Sequence, residues 1–121
     1  MDLWTEVEFR PKSYPELAVY LRRISMARRL RFLAVNHELM RVVHFPRGAQ
    51  EVYSPRQRAE AEIELSRRIL AETLIRVDGV EAPEAGWADW LVQDAPQPLC
   101  LEVLERAGEA MILGEEQRKK S

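Results

Sequence analysis

The sequence predicts a mainly α-helical fold: a compact bundle of four to five helices led by a short N-terminal β-strand or hairpin. Three observations predict it: two helix-start capping boxes, apolar residues recurring at 3.6-residue spacing through most of the chain, and one alternating stretch at the N-terminus. With 121 residues the chain has the size of one ordinary domain. Residues 1–121 are therefore read as a single helical domain, with 1–12 as the short strand and 116–121 as a frayed tail.

In "LWTEVEFRPK", Leu3, Thr5, Val7 and Phe9 alternate with Trp4, Glu6, Glu8 and Arg10, the period of a half-buried strand, and Pro11 ends it. "SYPE" supplies Ser13 as an N-cap, Glu16 as its capping-box partner and Pro15 in the first turn, so a helix is expected to start near Tyr14. Leu17, Tyr20, Leu21 and Ile24 continue it, and Met26, Leu30, Leu33, Leu39 and Val43 carry it to about residue 44, as one bent helix or two consecutive ones. Pro46 and Gly48 stop it. "SPRQ" repeats the start signal with Ser54, Pro55 and Gln57. Ile63, Leu70, Leu74 and Val77 then predict a helix over 55–77, ended by Asp78 and Gly79. Trp87, Trp90 and Leu91 share one face of a short helix near 86–93. The last helix, near 98–115, has Gln97 and Pro98 at its start and Leu101, Leu104, Gly108, Met111 and Ile112 along its apolar side.

Hydrophobic residues are 46% and charged residues 31% of the chain, enough apolar surface for a folded core. The longest apolar runs, such as "LAVYL" and "FLAV", are far shorter than the roughly 20 residues a bilayer demands, and "MDLWTEVEFR" lacks the basic-then-apolar order of an export signal. A cytoplasmic protein without membrane association is expected. The lone Cys100 agrees with a reducing compartment.

Little in the sequence points to catalysis. "HELMRVVH" approaches the zinc-protease helix, but its second histidine, His44, stands seven residues after His37, a rise of roughly 10 Å that is too long to share one ion. Cys100 has no histidine near it in sequence and reads as a small core residue. With no glycine-rich phosphate loop and no isolated carboxylate pair, the expectation is a non-enzymatic chain with no metal and no cofactor.

Charge is the more informative signal. Net charge is −2, yet residues 1–77 hold 14 Lys/Arg against 10 Asp/Glu, and residues 78–121 hold 4 against 10. The halves are +4 and −6, which favours head-to-tail self-association. Arg22, Arg23, Arg28, Arg29, Arg31, Arg41 and Arg47 stand against Glu38 alone over residues 22–47. Such a cluster can cover phosphates, so an Arg-rich nucleic-acid-binding regulator is one reading. The absence of helix-turn-helix spacing, and 15 Arg to 3 Lys across the whole chain, put a protein-docking or solvated face ahead of it.

From about Ala61 onward the order of segments resembles the small tail assembly chaperones of long-tailed bacteriophages: "LIRVDGV", "EAPEAG", "WADWLVQDAP", "LCLEVLERAGEAM" and "GEEQRKKS" follow one another as helix, glycine turn, variable loop, short helix, proline and charged last helix. The resemblance implies a non-enzymatic chaperone that binds the phage tape measure protein and presents it to the tail tube protein in the bacterial host cytoplasm. Binding such a client needs an apolar groove and charge to orient a helix in it, so the candidate partner-binding residues are Arg22, Arg23, Arg28, Arg29 and Arg31 of the Arg-rich first half together with Trp87 and Trp90, which pin the short helix to the body and shape the groove. A structural head or tail connector is the remaining alternative.

Overall fold

Ser54 begins the element around which the rest is arranged. Its hydroxyl accepts from Gln57 N at 3.1 Å and its own N–H donates to Gln57 Oε1 at 2.8 Å, the reciprocal capping box that the sequence predicts. The resulting helix α3, Pro55–Thr73, ends where the Thr73 hydroxyl donates to the Ile69 carbonyl at 2.8 Å and Leu74 turns to an extended backbone. The chain passes directly into a strand. The computed structural model describes residues 6–45 and 52–120, the stretch 112–120 through its backbone only. Leu3, Trp4 and Thr5 of the predicted strand, the Pro46–Gly48 stop and Arg47 lie outside the described residues.

In chain order the elements are β1 (Glu6–Phe9), β2 (Ala18–Arg22), α1 (Met26–Val35), α2 (His37–Val43), α3, β3 (Leu74–Asp78), α4 (Trp87–Gln93) and α5 (Gln97–Lys120). The three strands form one antiparallel sheet in the order β1-β2-β3. This corrects the expected mainly α bundle with one N-terminal strand or hairpin: the fold mixes five described helices with a three-stranded sheet.

Two segments predicted as helix are strands, each for a local physical reason. The predicted helix over 14–44 starts with β2, and the predicted helix over 55–77 finishes as β3. Leu17, Tyr20, Leu21 and Ile24 satisfy helical spacing, but Leu17, Val19 and Leu21 also alternate, and β-branched Val19 and aromatic Tyr20 suit a pleated surface. Pro15 disfavours helical backbone at Tyr14, so residues 11–17 make tight turns instead, with Tyr14 N on the Pro11 carbonyl at 3.3 Å and Leu17 N on the Tyr14 carbonyl at 3.0 Å. Ser13 does not cap a helix. Its N–H and hydroxyl both donate to Glu102 Oε1 on α5, at 3.2 and 3.1 Å.

The sheet register sorts the side chains. Val7 lies opposite Leu21 and Phe9 opposite Val19, while Val19 pairs with Val77 and Leu21 with Leu74. An irregularity between Tyr20 and Leu21 leaves Ile75 out of the pairing, so that Leu74 joins the Leu21 face and both are buried. On the opposite face Glu8, Tyr20 and Arg76 line up, and the Arg76 guanidinium sits 3.9 Å from the Tyr20 ring centroid.

Two apolar clusters hold the layers together. The larger joins Leu17, Val19, Leu21, Leu70, Leu74, Val77, Leu91, Leu99, Val103 and Ala107, placing α3, α4 and α5 against the sheet. The smaller joins Phe32, Leu65 and Met111, with Ile24, Leu33, Leu39, Met40 and Val43 packed on it, and seats α1 and α2. Ile69 on α3 touches both. Gly79 closes β3 at φ +104°, where a Cβ would lie 2.8 Å from Leu17 Cδ2, so only glycine turns the chain here without strain.

Candidate functional site

Helix α1 owes its start to Ser25, whose hydroxyl accepts from Arg28 N at 3.2 Å. It stops at Asn36, which is 4% exposed and is the joint between α1 and α2. The Asn36 side-chain nitrogen donates to the Phe32 carbonyl at 2.8 Å, and its oxygen accepts from Arg68 on α3 at 2.7 Å. Along this joint α1 and α3 leave a cleft of about 430 Å³ between them.

Phe32, Val35 and Ala71 give the cleft an apolar lining, and Arg28, Arg31, Arg68, Asn36 and Glu72 its polar part. The polar groups are mostly committed. Arg28 is ion-paired to Glu72, whose carbonyl also accepts from Arg22 at 3.2 Å. Arg68 donates to Glu64 at 2.8 Å, and Arg67 donates to the same carboxylate, holding the Glu64 carboxyl down at about pH 2. Arg31 is exposed and has no partner among the described residues, and Val35 is 78% exposed. What the cleft offers a ligand is an apolar floor with an uncommitted guanidinium at its rim.

The arginines predicted to act together are divided by the fold. Arg28 and Arg31 line the α1/α3 cleft. Arg22 and Arg23 instead line a groove of about 350 Å³ between the sheet and α5, with Val7, Phe9, Leu21, Ile24, Ala110, Arg106 and Glu109. Arg29 is 9% exposed and turned into the protein. No single face presents all five.

Trp87 and Trp90 sit on α4 with ring centroids 5.8 Å apart at 82°, an edge-to-face pair half-buried against the larger core. Both rings pack against the larger core, and neither lines the cleft or the groove. His37 and His44, at the two ends of α2, are both exposed. Burial pushes the Cys100 thiol upward, away from a reactive thiolate.

The half of the cleft supplied by α3, with Arg68, Ala71 and Glu72, was outside the predicted set. Asn36 carried the available signal, because an Asn after ten helical residues marks a helix end, where a second helix is free to diverge. Comparison of the chain with family models, with curated proteins and with solved structures gives no match. No helix among the described residues is long and apolar enough to cross a membrane.

Proposed function

We propose that the chain is a non-enzymatic protein-binding chaperone of the phage tail-assembly kind that its second half resembles, and that it holds an amphipathic helix of the tape measure protein for delivery to the tail tube. The observation that carries this reading is the α1/α3 cleft, where strongly exposed Val35 stands beside uncommitted Arg31. A groove between two helices with an apolar floor suits the apolar face of a third helix, and the arginine orients it by charge.

Dispersal of the arginines favours this reading over a nucleic-acid regulator, since phosphate binding needs several free cations on one face and Arg22, Arg28 and Arg68 are engaged with protein groups. The test is production of the tape measure protein from the same genome, alone and together with this chain. A rise in its soluble fraction, with the chain absent from finished tails, is the expected result. An unchanged soluble fraction excludes the chaperone, and a chain retained in finished particles makes it a connector component instead.

A further inference from the structure

The structure carries a second surface whose shape and charge match the cleft. On α5, Leu101, Glu105 and Gly108 fall at i, i+4 and i+7, on one side of the helix, and Glu109 follows beside them. Leu101 is 56% exposed. Glu105 and Glu109 are exposed and form no ion pair among the described residues. A Cβ at Gly108 would meet nothing within 4 Å, so another helix can approach its backbone closely there. On α1, Arg28, Arg31 and Val35 also fall at i, i+3 and i+7. Each stripe is roughly 10 Å long from the helical rise, each holds one exposed aliphatic side chain, and their uncommitted charges are opposite.

We propose that the α1/α3 cleft of one copy takes the Leu101–Glu109 stripe of a second copy, with Leu101 over Val35 and Phe32 and the Glu105 carboxylate on Arg31. The two surfaces lie on different elements, so the contact is head-to-tail, and each copy keeps one free cleft or one free stripe until a ring closes or a chain grows. The unequal distribution of charge along the sequence acquires a purpose in this contact: the basic half of one molecule meets the acidic half of the next. The proposal rests on the reading of the cleft as a helix-binding groove, not on the identity of the client. Because the second copy occupies that groove, self-association and client binding are mutually exclusive at each cleft.

Sedimentation velocity of the full chain across a concentration series tests this pairing. At low ionic strength, about 0.01 M where the screening length is about 30 Å, species larger than the monomer should grow with concentration, and at about 1 M they should recede. Arg31→Glu and Glu105→Arg should each weaken self-association roughly tenfold, because a like-charge pair replaces an attractive one. Both changes in one chain should restore it, since the reversed pair attracts again. Both positions are exposed, and circular dichroism verifies that each variant is folded. A wild-type chain that stays monomeric at low salt overturns the pairing, as do single variants that associate like wild type or a double variant that does not recover. A monomeric chain that still solubilises the tape measure protein would remove this inference and leave the chaperone reading in place.

Discussion

Arg68 on α3 donates to the side-chain oxygen of Asn36 at 2.7 Å, and through this bond the core helix α3 fixes the joint between α1 and α2. Asn36 is 4% exposed and uses its nitrogen on the Phe32 carbonyl, so its polar atoms are satisfied inside the protein. Replacing it by Ala removes both side-chain bonds, although the Phe32 carbonyl keeps the backbone N–H of residue 36 at 3.0 Å and Arg68 keeps Glu64. Asn36→Ala should lower stability by about 1–3 kcal/mol in chemical denaturation. An unchanged midpoint would mean that solvent substitutes for the side chain without cost.

Glu64 provides the pH dependence. Hydrogen bonds from Arg67 and then Arg68 lower its carboxyl from 4.5 to about 2 in the folded chain. A depressed folded-state value stabilises above the unfolded value and is lost as pH falls, so this contribution should fade between about pH 4.5 and pH 2. Glu64 is partly exposed, and solvent screening keeps the effect modest. Denaturation of wild type and Glu64→Gln across that window should show the two stabilities converging toward acid, and parallel curves would refute the assignment.

The α4 anchor is measurable as a coupling. Leu91 is fully buried, and Leu91→Ala should cost about 2–5 kcal/mol. Trp87 and Trp90 form an edge-to-face pair, so a double-mutant cycle with Ala at each should return a coupling of about 0.5–1.5 kcal/mol. Additive single losses would show that each ring packs on the body independently of the other.

Gly79→Ala should destabilise by about 1–2 kcal/mol, because φ +104° is strained for any L side chain and the added methyl meets Leu17 Cδ2 at 2.8 Å. Gly86, also at positive φ (+93°) but with open space around it, separates the two causes. Gly86→Ala should show the conformational cost alone. Equal losses at both positions would mean that Leu17 moves aside freely.

Much of the helical framework was legible in the sequence because its signals are local. Ser54 and Gln57 form the predicted capping box, and α4 and the start of α5 fall within a residue or so of their predicted places. The sheet was missed because Leu17, Tyr20 and Leu21, like Leu70, Leu74 and Val77, fit a helical period; the competing alternation of Leu17, Val19 and Leu21 is short, an irregularity hides any alternation between Leu74 and Val77, and β2 and β3 pair across a long stretch of sequence. The same separation hid half of the cleft. Arg28 and Arg31 are visible as a basic run, but nothing near them in sequence indicates that Glu72 neutralises one and Ala71 floors the space beside the other.

Site-specific photocross-linking with a benzoylphenylalanine at position 35, in chain co-produced with the tape measure protein, tests most directly whether the α1/α3 cleft is the client site. The matched control places the same group at exposed Glu84, in the loop before α4. A covalent adduct to the tape measure protein from position 35, absent from position 84 and diminished by Arg31→Glu, is the predicted result. A soluble complex that cross-links from position 84 but not from position 35 would place the client elsewhere and contradict the assignment of the cleft.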